Sequence, residues 1–403
     1  MKIKVSARVQ NPDTVIKKSE IRLKSKLLKE NELTIEKENV FAYPPFINSH
    51  DHLIGNWFPR NGENRPYPNS DVWVKEMQFA KPLIERHKVW INDSNFDLSK
   101  GNAHLLTMLG IYKNIFSGCG IVQDHISKQK NEYYNKFPIN VLKNYTQCHS
   151  ISLGNWWGDK SALEEWQESK LKMPFVLHLA EGIDENAQKD FQKLKDSNLL
   201  QPNTLIVHGI ALTKQDIKEC AEVGASICWC PGSNQFLIGR SIDVPFCLKK
   251  GIKVVLGTDS TQSGSLNILT ELKCAHKMFP EIKYNDLYRM ISTTACKSLY
   301  LSEESCCLDS ESSNLLLVSK KCDDPFENLH KINFWDIEFL VYKGKPIYGN
   351  KEWLEYFNIK SDDYFFFSNQ KYEKFVIGHP EIAFDEIDSY LGYHQKFPFI
   401  PFS

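Results

Sequence analysis

Four apolar runs, far apart in the chain, each end in a side chain able to bind a metal. Phe46-Ile47-Asn48-Ser49 leads into His50-Asp51-His52. Phe175-Val176-Leu177 leads into His178, with Glu181 three residues on. Leu205-Ile206-Val207 ends at His208, and Val254-Val255-Leu256-Gly257-Thr258 ends at Asp259. An imidazole or carboxylate at the C-terminal end of a buried strand is where a (β/α)8 barrel carries its active site.

The segments between these runs fit such a barrel. Leu105, Leu106, Met108, Leu109, Tyr112 and Ile115 have helical spacing, and Gly118-Cys119-Gly120 stops that helix before the strand Ile121–His125. A charged helix over Asp159–Lys172, capped by Asp159 or Ser161, feeds the run to His178. Lys214–Val223 followed by Gly224, and Val244–Lys250 followed by Gly251, repeat the step from helix to glycine to strand. Strands alternating with helices of this length predict a parallel α/β sheet. Residues 1–45 alternate short apolar and charged positions and predict strands rather than a helix. After residue 305 strand-like runs return at Leu315–Val318 and Phe339–Tyr342. The expected division is N-terminal strands over 1–45, a barrel over 46–305, and C-terminal strands with an aromatic-rich tail over 306–403. Both chain ends would then build a small β domain. Residues 56–100, rich in Trp, Pro, Asn and Arg, read as a long irregular excursion forming a lid or substrate wall.

The bulk numbers exclude several classes. With 403 residues and a net charge of −1, the chain has no strong field for nucleic acid or an anionic membrane. No apolar run approaches the roughly 18 residues of a membrane span. The start, Met1-Lys2-Ile3-Lys4-Val5-Ser6, lacks the apolar stretch of a secretory signal. The 11 cysteines are scattered and form no CxxC pair of a structural zinc site, and their odd count without a secretory signal predicts reduced thiols and a cytoplasmic location.

Single residues carry definite expectations. His50 and His52 are two apart on a strand, so both rings point to one face and can reach one ion. Glu181 is displaced from His178, as suits a carboxylate that moves protons; at a helix start it would also be favoured by the macrodipole. Asp259 can ligate or can cap a helix. His125 ends a further strand and is a candidate for the pocket lining. Asn234, in Cys230-Pro231-Gly232-Ser233-Asn234, can orient a substrate from a turn after a strand. Trp57, with Phe58 and Arg60, is a candidate for the substrate wall. The donor types suit zinc or ferrous iron.

Together these segments resemble the amidohydrolase superfamily, in its cytosine deaminase-like and chlorohydrolase-like branch. The resemblance rests on Pro45–Leu53, His178-Leu179-Ala180-Glu181, Val207-His208-Gly209, Cys230–Asn234 and Leu256–Ser260, with an echo at Val341-Tyr342-Lys343-Gly344. It covers roughly residues 40–300. It implies a TIM-like barrel with a small β-sandwich formed by both chain ends. It implies a metal held by His50, His52, His178 and Asp259, with His208 at the reacting water and Glu181 carrying protons. The stretch 126–172 is short for two full strand-helix units, so the barrel is expected to be irregular there. No candidate for the carboxylated lysine of binuclear relatives is visible, so one divalent ion per chain is expected, zinc before iron. The expected reaction is attack of metal-activated water on an aminated heterocycle, with Asp259 accepting the water proton and Glu181 protonating the ring. Alternatives are hydrolysis of a cyclic amide or a halogenated ring, or a non-catalytic binding barrel. The expected partner is a small-molecule substrate, with a homodimer as a further expectation by analogy. No G-x-S-x-G elbow, P-loop or dinucleotide fingerprint is present.

Overall fold

The computed structural model describes residues 1–403 apart from 31, 155–159, 393–395 and 403. Three strands open the chain: β1 (Lys2–Asn11), β2 (Thr14–Leu23) and β3 (Thr34–Tyr43). In β1 the residues Ile3, Val5, Ala7 and Val9 are buried while Lys2 and Lys4 face outward, the period of two that makes a half-buried strand.

Eight strands then run parallel: β4 (Phe46–Asp51), β5 (Cys119–Asp124), β6 (Asn140–Val141), β7 (Thr146–Ser150), β8 (Phe175–Leu179), β9 (Thr204–His208), β10 (Ser226–Trp229) and β11 (Lys253–Leu256). Their hydrogen bonds form two arcs, β4-β5-β6 and β7-β8-β9-β10-β11. Beyond β11 the ring is closed by the Asp259 N–H, which donates to the His50 carbonyl at 3.1 Å. β8 and β9 are buried throughout, as strands covered on both faces must be. This is a (β/α)8 barrel of the TIM type. It is irregular where the short stretch predicted it. β6 has only 2 residues, and residues 142–145 join it to β7 with no helix between.

The C-terminal strands are β12 (Glu311–Ser312), β13 (Leu315–Ser319), β14 (Ile337–Tyr342), β15 (Lys345–Asn350), β16 (Tyr364–Ser368) and β17 (Glu373–Ile377). They join the first three in one nine-stranded sheet, ordered β12-β2-β1-β3-β13-β14-β15-β17-β16. The two chain ends meet at two seams: β13 pairs antiparallel with β3, with Leu316 opposite Tyr43 and Leu317 opposite Ala42, and the short β12 pairs parallel with β2.

Three local expectations are corrected. Residues 56–100 contain the helices Ser70–Met77 and Lys81–His87, and a wider-wound turn over Lys88–Asp93. Asn69 caps the first by accepting the Val72 N–H, and Pro82 sits in the opening turn of the second, signals hidden by the density of Trp and Pro. The charged helix before β8 is Ala162–Ser169, with a capping box of Ser161 and Glu164; Asp159 lies outside the described residues. Residues Pro231–Leu237 form a helix rather than a bare turn, entered through Pro231 at its first position. The aromatic tail packs inward. Phe402 packs edge-on against Phe365 and at a tilt against Phe367, at 4.8 and 5.1 Å between ring centres. Among the described residues no helix is long and apolar enough to cross a membrane.

Candidate metal centre

The C-terminal ends of β4, β5 and β8 bring four imidazoles together. The ligand atoms of His50, His52, His125 and His178 all lie within 4.8 Å of one another. The His50 ring is 4.8 Å from His52, 5.0 Å from His178 and 5.2 Å from His125, centre to centre. Gly257 permits this approach of β11 to β4. A Cβ there would lie 2.5 Å from the His50 Cβ, far inside contact distance.

The tautomers are set by main-chain acceptors. His52 Nδ1–H donates to the His125 carbonyl at 2.8 Å, and His178 Nδ1–H donates to the His149 carbonyl at 2.6 Å. That leaves Nε2 of each ring facing the other at 3.3 Å. Two ring nitrogens at this distance require a shared proton or a cation between them. His50 is fully buried, and its ring nitrogens have only a loose approach to the Gln123 side chain in place of a well-formed hydrogen bond. A divalent ion satisfies all of these groups at once, so the donor set fits one.

Asp259 stands at the open side, its Oδ1 3.6 Å from His52 Nε2. Its carboxylate accepts from the Ser233 and Ser263 hydroxyls, each at 2.8 Å, and from the Ser260 N–H at 2.7 Å. Burial alone would raise its pKa, yet the rings of His52, His208 and His178 and the Ser263 hydroxyl hold it well below the usual range. Burial is the first cause at every histidine here, and it lowers them all. His50, His125 and His149 fall well below an ordinary imidazole, and His52 falls to about 3.

Across the cavity His208 Nδ1–H donates to Asn234 Oδ1 at 2.8 Å, which turns Nε2 toward Glu181 Oε1 at 3.4 Å. Burial pushes the Glu181 carboxyl up to about 7. Ala180, His208 and Asp259 all adopt left-handed backbone, with φ of +54°, +71° and +54°. Such conformations cost non-glycine residues about 1–3 kcal/mol each and persist where the surroundings over-determine them. The helix Ser70–Met77 docks on the Glu181 backbone, Ser70 N–H donating to its carbonyl at 2.9 Å. A cavity of about 350 Å³ opens here, lined by His52, His178, Glu181, His208 and Asp259 on one side and by Trp73, Met77 and Trp90 on the other.

Three sequence expectations land elsewhere. Trp57 does not line this cavity. It is 1% exposed and packs on Phe397 at 4.6 Å, because the C-terminal tail covers it. Phe58 is likewise buried, and Arg60 is spent on the Gly264 carbonyl. Asn234 is buried and holds His208 rather than facing the cavity. His125 lies under the cavity floor, stacked on His178 at 4.6 Å, as a member of the four-ring group.

Sequence reading missed a polar network beneath the site. Lys113, in the helix Gly101–Ile115, is wholly buried. Its ammonium donates to Asp51 Oδ1 at 3.2 Å, Asn56 Oδ1 at 2.7 Å, Thr258 Oγ1 at 3.0 Å and the Asp259 carbonyl at 2.8 Å. Asp51 also accepts from Asn48, Asn56 and Asn114. One signal was available: Lys113 follows Leu106 and Leu109 at helical spacing, on the apolar face.

The Amidohydrolase family model matches residues 160–308. Over 326 residues the chain is 24% identical to a 5-methylthioadenosine/S-adenosylhomocysteine deaminase from Pyrococcus horikoshii, covering 70% of this chain and 75% of that one. To the protein of the same description from Pyrococcus abyssi it is 30% identical over 161 residues, 36% of each chain. In three dimensions it is similar to an adenosine deaminase from Xanthomonas campestris with bound zinc, with TM-score 0.68 and 14% identity, covering 86% of this chain and 92% of that one. By these comparisons the chain is similar to amidohydrolase-family proteins, over residues 160–308 in the family model and over 326 residues in the Pyrococcus horikoshii deaminase.

Metal binding has a definite pH signature. Protons compete with the ion for imidazole, but burial keeps these rings neutral well below the 6.5 of an ordinary one. Stepped dialysis is therefore expected to leave the ion in place below pH 6.5 and to strip it as pH approaches about 3. Elemental analysis reads this directly. Loss of the ion already at neutral pH, with no uptake on reconstitution, would remove the metal site.

Proposed function

We propose that this protein is a metal-dependent deaminase that hydrolyses the exocyclic C–N bond of a small aminated heterocycle. The observation that carries the reading is the placement of the Glu181–His208 pair, 3.4 Å apart, on the same cavity as the histidine cluster. His50, His52, His178 and Asp259 hold the ion, which we assign as zinc from the nitrogen-rich donors. A divalent ion supplies Lewis acidity, lowering the pKa of a coordinated water from about 15.7 toward about 7.

The side chains do the rest. Asp259, fixed by three hydrogen bonds, takes a proton from the attacking water. Glu181 gives a proton to the ring nitrogen next to the reacting carbon, and its raised pKa suits a group that both holds and releases a proton near neutrality. His208, set by Asn234, steadies Glu181 and faces the reacting carbon. One C–O bond forms and one C–N bond breaks; the proton taken by Asp259 passes to the amino group, which leaves as ammonia, and the hydroxyl proton of the product returns to Glu181. The buried apolar wall excludes bulk water and stacks on the ring. The 11 cysteines, free wherever the structure describes them, fit a reducing compartment such as the cytoplasm.

Since the relatives are named for adenosine-type substrates, aminated purines are the first rings to test, followed by aminated pyrimidines, pterins and triazines. The zinc-loaded protein is expected to release one ammonia per ring converted, read by a coupled ammonia assay. Halide release or ring opening without ammonia would move the chain to another hydrolase class. No turnover of any ring by the fully loaded protein would leave a binding barrel.

A further inference from the structure

One wall of the cavity carries a charge that the chemistry above does not use. Arg86, in the helix Lys81–His87, lines the cavity among Trp73, Met77, Leu83, Trp90 and Phe96. One of its terminal N–H groups donates to Gln262 Oε1 at 2.8 Å, a neutral acceptor. The Trp90 ring centre lies 5.9 Å from the guanidinium carbon. Its Nε–H is buried and has no acceptor. Among the described residues no carboxylate comes within ion-pair distance of it. Burial lowers its pKa only to about 10, so it stays a cation at neutral pH.

Asp259 is the acid whose charge reaches Arg86, but its oxygens are already engaged by Ser233, Ser260 and Ser263. A guanidinium has five donors in a planar fork, and here the Nε–H is buried without an acceptor while the half-buried side chain lines the cavity. Arg86 sits in the last turn of its helix, where the dipole favours a cation, but it pairs with no acid. Its unmet edge matches an oxyanion, which a guanidinium grips with two parallel hydrogen bonds.

We propose that Arg86 is the subsite for an anionic group, a carboxylate or phosphate, carried by the substrate. The substrate is then an acidic aminated heterocycle rather than a neutral base. The ring assignment rests on the deaminase reading above; the anion subsite does not.

Three simple probes test the subsite without knowledge of the substrate. Benzoate, phenyl phosphate and their neutral analogue benzamide are titrated into the metal-loaded protein, read by fluorescence of the cavity tryptophans and by calorimetry. Wild type is expected to bind one of the two anions at least about tenfold tighter than benzamide. The preference should vanish in Arg86→Gln and persist in part in Arg86→Lys, with metal content unchanged in both. A preference for phenyl phosphate over benzoate assigns the group as phosphate; the reverse assigns a carboxylate. Equal binding of all three probes, or no binding at millimolar concentration, overturns the subsite. So does a preference that survives Arg86→Gln, since the ion would then be holding the anion. Anion preference without ammonia release from any ring would sink the deaminase reading and leave the subsite standing.

Discussion

Glu181→Gln is expected to keep the metal and to lower turnover by about a thousandfold or more. The amide matches the carboxylate in shape, so the cavity and the docked helix Ser70–Met77 are undisturbed. That helix holds the Glu181 main chain through the Ser70 N–H, and its Ser70 side chain also bonds the Glu181 carboxyl, a bond the amide oxygen can still accept. Glutamine can also still bond His208 Nε2, which faces this position at 3.4 Å. What it cannot do is carry a proton. The wild-type carboxyl, raised by burial to about 7, is poised to do so. None of His50, His52, His178 or Asp259 is touched, so elemental analysis should find an unchanged metal content. Turnover within about tenfold of wild type would show that a proton reaches the ring by another route. Joint loss of metal and activity would mean that Glu181 acts through the metal site and not on substrate.

Why Glu181 could be read from the sequence while Arg86 and Lys113 could not is a matter of local signal. His50, His52, His178, His208 and Asp259 each follow a short apolar run, and strand ends are visible in a linear pattern. The barrel followed from the same runs and from the glycines that stop its helices. Trp57 was misplaced because its position after His52 says nothing about the tail, about 340 residues later, that covers it; the Phe384 and Phe397 contacts are purely tertiary. Arg86 lies in a stretch whose helices are entered through one N-cap, Asn69, and one proline, Pro82, so no period marks which side faces the cavity. Its Gln262 partner is far off in sequence. His125 was legible as a strand-end histidine, but only the closing of β5 beside β4 and the packing of the His178 ring place it in the cluster. The two-residue β6 shows the converse, since the shortage of chain between 126 and 172 marked the irregularity in advance.

Lys113→Met is expected to destabilise the metal-loaded protein by about 3–5 kcal/mol, read from the urea midpoint and slope. Methionine has similar length and no donor, so the main change is electrostatic. Lys113 and Asp51 are both 0% exposed at the side chain, and removing one leaves the other as a buried charge. Three asparagines still donate to Asp51, which places the loss toward the lower end of that range. A second effect reaches the metal site. The Lys113 ammonium binds the Asp259 carbonyl at 2.8 Å, at a residue with φ of +54°. Left-handed backbone at an aspartate relaxes unless something holds it. Metal affinity should therefore fall with stability, although Lys113 touches no ligand side chain. Pairing the change with Asp51→Asn separates the two effects. The double variant should recover part of the stability, with a coupling above about 1 kcal/mol, because the orphaned charge is gone. It should not recover metal affinity, because the Asp259 carbonyl is still without its donor. A loss below about 1 kcal/mol in the single variant would show that water reaches Asp51 and that the pair is not a sealed network. Full recovery of metal affinity in the double variant would show that the Asp259 backbone is held by its closure onto His50 alone.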